Sequence, residues 1–408
     1  MGIFREIPPT AGFPLSLRDV FFALSSKAGK NCLANDFQSY LNVTYAKVTY
    51  SGTSAFYLIL ETLKELSSRK TVVIPSYVCP LVPLAIKRAG LKVEVCDIYK
   101  DDFSFSHASL QEMCKTNADI LAIVPVHLAG MPVDFEAVEQ VARKHGIFIV
   151  EDCAQALGSE YRGKKVGTLG DFAFFSLCRG KGLTIYEGGV AVTKKEEYAR
   201  VMEAKARKLI KGSFLSEILK VGELFGYSIV YRPQLFWFAY QLPQVFWRAS
   251  GRELKARIED FTEDFPTHRV SSVRQKIGHA AFGRLEKEIN KQRARVNFYM
   301  DKLKDLSGIR IVRESRDSRA NYPYLTVLFT DLRKRNTVFE ALEGSGMGVS
   351  QIYTCSITEY PYLRDFLPRK AFPNARYVAE HSLTLSTSAF IEKEDMRRIC
   401  DDIINLTQ

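Results

Sequence analysis

Three residues of this chain are of the right types, at the right spacing, for covalent chemistry. Lys181 lies in Cys178-Arg179-Gly180-Lys181-Gly182, five residues beyond Ser176, and Asp152 closes the run Ile147-Phe148-Ile149-Val150-Glu151-Asp152. A lysine amine can form a Schiff base with a carbonyl, and pyridoxal phosphate is the cofactor that exploits this bond. An acid facing its pyridine nitrogen keeps that nitrogen protonated, so the ring can accept electrons. A hydroxyl such as that of Ser176 could hold its phosphate. Most of the 57 basic residues read as solvated surface charges. Lys181 does not, because a glycine on each side implies close backbone approach.

Each of these groups ends an apolar run. Ile147–Val150 leads into Glu151-Asp152, Phe172–Phe175 into Ser176, and Glu187-Gly188-Gly189 turns the chain into Val190–Thr193. Such runs read as buried strands whose carboxyl ends share one rim, where open parallel sheets place ligands. The same reading gives strands at Thr71–Pro75, Leu91–Asp97 and Ile120–Pro125, with helices at Tyr77–Arg88 and Asp134–His145 between and after them. This alternation predicts a three-layer α/β domain with a mostly parallel sheet. Ser51-Gly52-Thr53-Ser54 opens the helix Ala55–Leu66, and its free N–H groups make a phosphate cradle. On those residues alone, a plain N-cap is the simpler reading. His127 follows the strand Ile120–Pro125 and is assigned a supporting role near the ring or substrate.

Several ordered motifs then agree. Glu151-Asp152-Cys153-Ala154-Gln155-Ala156-Leu157-Gly158, Gly167-Thr168-Leu169-Gly170-Asp171, Phe175-Ser176, Lys181 and Glu187-Gly188-Gly189 resemble the sugar-nucleotide aminotransferases of the DegT–StrS group. The similarity spans about residues 40–201 and again 266 to the C-terminus. It implies a fold-type-I enzyme with a smaller C-terminal α/β domain, Lys181 as the Schiff-base and proton-shuttling lysine, and Asp152 on the pyridinium. It further implies Gln155 on the ring hydroxyl, and Gly52, Thr53, Ser54 and Ser176 around the phosphate. The expected reaction moves an amino group, glutamate being the expected donor, to a keto-sugar nucleotide for surface polysaccharide or glycoconjugate synthesis. A homodimer with its active sites near the subunit boundary is implied too. Sugar dehydratases of the group carry histidine in place of the lysine, so Lys181 weighs against that chemistry. A cofactor-binding regulatory protein, or transfer to a lipid-linked or non-sugar ketone, are the alternatives.

The chain departs from the group's pattern at several positions. Cys79 stands where an aromatic usually stacks on the ring, which makes Tyr77 a candidate ring contact. Thr267 and His268 replace the first two residues of an Asn-Tyr-Arg motif, while Arg269 retains the third and is a candidate substrate contact. Tyr353-Thr354-Cys355 differs from the usual substrate segment.

Residues 211–263 read as an inserted helical segment between a domain at 1–210, which begins with an arm and a helix at Ser16–Ser26, and one at 264–408. The insertion holds both tryptophans, Trp237 and Trp247, within Phe214–Val230 and Gln234–Trp247. Pro233 and Pro243 are expected to break it into pieces too short to span a bilayer. Lys205, Arg207, Lys208 and Lys211 precede it, and Arg248, Arg252, Lys255 and Arg257 follow. A cap over the cleft or subunit interface is the plainer reading; peripheral contact with a membrane or lipid-linked substrate through 214–247, and an apolar patch for another protein, are the others.

In the last third, Arg284–Leu306 reads as a charged helix. Tyr324–Phe329, Arg333–Gly344 and Gly348–Ile352 read as strand, helix and strand, and Leu383–Ser388 and Lys393–Leu406 follow as the closing elements. With 46% apolar and 25% charged residues the composition is that of a soluble protein, and a net charge of +11 favours acidic ligands. Eight scattered cysteines lack metal-ligand spacing, so neither a metal site nor disulfides are expected. Met1-Gly2-Ile3-Phe4 has no signal-like core, which predicts a cytoplasmic location, at the inner membrane face if the insertion meets lipid. No nucleic-acid partner is expected.

Overall fold

Seven strands form the central sheet: β1 (Tyr45–Thr49), β2 (Thr71–Pro75), β3 (Lys92–Cys96), β4 (Ile120–Ile123), β5 (Phe148–Asp152), and, after the two-residue strands β6 (Glu160–Tyr161) and β7 (Lys164–Lys165), β8 (Phe172–Ser176) and β9 (Gly189–Thr193). Their order is β1-β9-β8-β5-β4-β2-β3. All neighbours are parallel except around β9, which runs antiparallel to both β8 and β1. The computed structural model describes residues 5–25, 29–30, 32–252, 255 and 259–408. The calls on Met1-Gly2-Ile3-Phe4, Ser26 and Arg257 fall outside them.

The strands are buried on both faces, which is why they read as near-continuous apolar runs. Leu58, Ile74 and Val124 belong to one packed layer, and Phe37, Val48 and Phe175 to a second. The helix Gly52–Leu66 lies against the sheet, with Phe56 stacked on Phe174 of β8 at 4.8 Å between ring centroids. Because β9 alone reverses, the C-terminal ends of β1, β4, β5 and β8 and the start of β9 meet along one edge. That edge carries every sequence-predicted catalytic group.

The smaller unit is an antiparallel sheet of β10 (Ile309–Ile311), β12 (Tyr324–Phe329) and β13 (Ser382–Ser386), covered by helices Leu285–Leu303, Leu332–Leu342 and Lys393–Thr407. β11 (Ser318–Arg319) instead pairs with β6, tying this unit to the larger one. Gly348–Ile352 is not a strand. Ser350 makes one bridge to Thr384, and Gly348, at φ +70°, presses against the carbonyl of Ile7.

The insertion forms two helices, Phe214–Val230 and Pro233–Ala249. Pro243 does not end the second. Its missing N–H leaves only the carbonyl of Ala239 unpaired, and both residues are exposed, so water can serve that oxygen. Leu224, Tyr227 and Tyr231 anchor the pair in the core. Arg274, fully buried, grips Glu217 through Nε at 3.0 Å and through Nη2, and donates from Nη1 to the carbonyl of Glu187 beside the lysine loop. Among the described residues no helix is long and apolar enough to cross a membrane.

The N-terminal arm crosses all of this. The N–H of Glu6 donates to Pro233, that of Ile7 to Gly346, that of Ala11 to Pro323 and that of Phe13 to the carbonyl of Lys181. Arg5 pairs with Asp395 in a two-pronged bridge at 2.8 and 2.9 Å.

Candidate active site

Asp152 is the last residue of β5, and its backbone is fixed on both sides. Its N–H donates to Pro125 and its carbonyl accepts from His127. The side chain turns into the rim, where Oδ1 accepts the N–H of Ala154 at 2.9 Å. Burial pushes this carboxyl up to about 6, against the opposing pull of the Ala154 N–H and the nearby charges of Lys181 and His127. A carboxyl in that state is matched to a cationic ring nitrogen, whose charge would restore its ordinary acidity.

Glu151, its neighbour, points to the opposite face and is entirely buried. One oxygen accepts from Leu169 and Gly170, both at 2.8 Å, and the other from Gly167 at 2.7 Å and faces His127 Nε2 at 3.2 Å. The Gly167–Asp171 motif is thus a turn nailed to Glu151. His127 Nδ1 in turn accepts the N–H of Val133, so Nε2 carries the proton given to Glu151. His127, Glu151 and Cys153 lie close enough together to hold a metal ion, but these hydrogen bonds already commit the histidine and glutamate donors.

Lys181 sits on the arch that joins β8 to β9, closed by Leu177 to Gly188 and Arg179 to Tyr186 hydrogen bonds. Gly180 has φ +74°, and a β-carbon there would lie 2.8 Å from Thr10 Oγ1 of the arm. Gly182 differs from expectation: nothing comes within 3.8 Å of its missing side chain. Only one of the two flanking glycines is therefore required by close approach.

The turn Ser51–Ser54 is both a cap and a cradle. Ser51 Oγ accepts the N–H of Ser54, while the amides of Gly52 and Thr53 precede the first intrahelical bond. A β-carbon on Gly52 would lie 3.0 Å from Cβ of Ser176, which brings the cradle and the β8 hydroxyl side by side. Ser54 Oγ instead donates to Pro266 at 2.6 Å and does not reach the cleft.

A cavity of about 710 Å³ joins these groups. Gly52, Thr53, His127, Asp152, Gln155, Ser176 and Lys181 all line it. Gln155 Oε1 is taken by the Ala129 N–H at 2.9 Å and the Tyr324 hydroxyl at 2.5 Å, which leaves its NH₂ as the group to offer a ligand oxygen. The anion cradle, the ring-facing acid and the amine on one wall fit pyridoxal phosphate.

Besides Ser54, two candidates lie outside the cavity of this chain. Tyr77 does not line the cavity; it is fully buried and exchanges hydrogen bonds with the backbone of Tyr353, donating at 2.9 Å and accepting at 3.0 Å. The helix expected from Tyr77 starts at Leu81, and the intervening turn swings Tyr77 away. Arg269 is exposed and lies outside the cavity of this chain. Cys79 does line it, together with Phe174, Tyr324 and Tyr353. The sequence reading missed Tyr324 and Tyr353, which arrive from the smaller unit, and Gln244 and Arg248, which arrive from the insertion. The lone signal for the latter pair was polar residues at helical spacing within an aromatic-rich run.

Comparison with known proteins agrees with this geometry. The model of the DegT/DnrJ/EryC1/StrS aminotransferase family matches residues 25–224 and 265–404. A UDP-4-amino-4,6-dideoxy-N-acetyl-beta-L-altrosamine transaminase of Campylobacter jejuni is 26% identical over 374 residues, covering 90% of this chain and 87% of that protein. A GDP-perosamine synthase of Escherichia coli O157:H7 is 35% identical over 176 residues, covering 43% of this chain and 48% of its own. Among solved structures, a sugar aminotransferase of Streptococcus pneumoniae in its PLP form superposes with a TM-score of 0.77 at 19% identity, covering 98% of each chain. Helicobacter pylori PseC superposes with a TM-score of 0.76 at 18% identity, covering 98% of this chain and 99% of its own.

Proposed function

The chain belongs to the DegT/DnrJ/EryC1/StrS aminotransferase family, a pyridoxal phosphate enzyme by that membership, and from this premise we propose which residues do the work and on what. The substrate is a keto-sugar carried on a nucleoside diphosphate, the donor an amino acid, glutamate first, and the product feeds surface polysaccharide or glycoconjugate synthesis. The observation that carries the assignment is the convergence of Lys181, Asp152, Gln155, Ser176 and the Gly52–Thr53 amides on one cavity.

When bound, the cofactor supplies an aldehyde for covalent capture of amines and an electron-accepting ring. Lys181 Nζ would be the amine that holds that aldehyde, and its free form would take and return the proton at the reacting carbon. Asp152 holds the ring nitrogen's proton. Gln155 would donate to a ring oxygen, while Ser176, Thr53 and the helix-start amides would hydrogen-bond the phosphate. His127, held by Glu151, would support the ring from the cavity wall. The +11 net charge suits a substrate bearing a diphosphate.

An absorbance spectrum tests this. The bound-cofactor band bleaches when glutamate is added and returns with the correct member of a keto-sugar nucleotide panel. An unresponsive band would support a cofactor-binding protein without turnover.

A homodimer is part of the proposal, by resemblance to the group, and Arg269, which does not line this chain's own cavity, is the residue proposed to serve across the boundary. Light scattering checks the mass. Exposed Phe214, Leu215, Leu219 and Phe246 on the insertion favour a second, peripheral role at a membrane surface. Flotation with anionic liposomes tests that contact, and a protein that stays at the bottom of the gradient removes it.

A further inference from the structure

The helix Pro233–Ala249 is turned against ordinary amphipathic logic. Its polar side chains Tyr240, Gln244 and Arg248, four residues apart and so on one face, line the cavity. Leu242, Val245 and Phe246 point outward and are 47%, 57% and 62% exposed. A helix that served merely as packing would bury the apolar stripe. Arg248 meets Glu343 and Tyr240 meets the Gln244 side chain, so this face is an organised polar wall.

The second observation is where these residues come from. The family match stops at residue 224 and resumes at 265, so all three belong to a stretch the shared pattern does not describe. The groups assigned to the cofactor, Gly52 to Lys181, all lie within the matched part. One cavity is therefore walled by matched segments on the cofactor side and in the smaller unit, and by an unmatched one where Tyr240, Gln244 and Arg248 enter it.

Resting on the reading above, we propose that Tyr240, Gln244 and Arg248 are the specificity-determining wall for the keto substrate, and that they take an anionic, polyhydroxylated ligand of the sugar–nucleoside diphosphate class. Tyr240 is set by stacking on Phe236 at 4.9 Å and 13°. It presents a hydroxyl, and Gln244 an amide, both suited to sugar or base oxygens. Arg248 touches Glu343 through Nη2 at 2.6 Å, and its planar guanidinium has further N–H donors for a phosphate oxygen. Glu343 steers Arg248 across the cleft and keeps the charge compensated before the ligand arrives.

The experiment is calorimetric binding of UDP, GDP and dTDP to the cofactor-loaded protein. The wild type binds at least one of them. Arg248→Gln weakens that binding about tenfold or more, the loss expected for a charge-assisted hydrogen bond, and Arg248→Lys restores part of it. Gln244→Leu, which leaves the Glu343 pair intact, weakens it about threefold or more and shifts which nucleotide binds best. Retention of cofactor through gel filtration shows that each variant is folded. No nucleotide binding by the wild type, or binding unchanged in both Arg248→Gln and Gln244→Leu, overturns the assignment. If wild-type protein still responds to glutamate in that case, the aminotransferase reading stands and this inference alone falls.

Discussion

The backbone of Gly189 lies so close to Ser51 that a β-carbon on it would stand 2.2 Å from the Ser51 carbonyl oxygen and 2.5 Å from the N of Gly52. The first residue of β9 thus forms the floor of the phosphate cradle, which gives the second glycine of Glu187-Gly188-Gly189 a physical reason. Gly189→Ala must push the cradle aside. We expect a loss of about 1–3 kcal/mol in stability, the usual cost of overpacking. Cofactor retention on dialysis should fall more sharply than the melting temperature, and equal retention would dissociate Gly189 from the cradle.

Lys181 is predicted to be the covalent anchor. Borohydride treatment should fix cofactor to the wild-type chain and not to Lys181→Ala, as read by intact mass. Turnover of the variant should fall by roughly 10²–10⁴-fold or more. Its side chain makes no structural bond among those described, so far-UV circular dichroism should be unchanged.

Two buried acids give the cofactor-free protein an unusual pH profile. Burial raises Asp152 to about 6 and Glu6 to about 7, the latter eased by a hydrogen bond from Gln241. Both values lie above those of the unfolded chain, so the folded state binds protons that the unfolded state has released. Stability therefore falls as pH rises from about 4 to 7, by no more than about 3 kcal/mol per group. Urea unfolding at pH 4.5 and 7.5 measures it. Asp152→Asn and Glu6→Gln should each remove part of the slope, and bound cofactor should remove the Asp152 part by supplying a positive partner. A flat profile in the wild type would contradict both assignments.

The Glu217–Arg274 pair fastens the insertion to the lysine loop. Burial pushes the Glu217 carboxyl up, and the guanidinium more than offsets this and holds it below the usual range. Glu217→Ala strands a fully buried cation, so a loss of about 3–5 kcal/mol is expected. Glu217→Gln, which keeps a hydrogen-bond acceptor, should lose less. Thermal and urea unfolding of both variants decides the order.

Much of this was legible in the chain's letters, for reasons that differ by element. β2 and β12 were read to the residue because continuous apolar runs bounded by turn residues have few other uses. Lys181, Asp152, Gln155 and Ser176 were legible because strand ends deliver them in a fixed order. Gly348–Ile352 misled because only Ser350 makes a bridge, while Gly348 is held against the arm and Ile352 turns into the cavity. Tyr77 misled because a turn that starts a helix four residues late rotates the side chain to the far side. Tyr324 carries no local mark, and Gln244 and Arg248 only that of polar residues at helical spacing; tertiary folding brings all three to the cleft.

The arm has a temporal consequence. The partners of residues 5–13 include Lys181, Gly346, Ser386 and Asp395, the last of which lies more than three hundred residues further along the chain. The strap over the lysine arch therefore depends on contacts of very high sequence separation, whose loop-closure entropy places its docking late in folding.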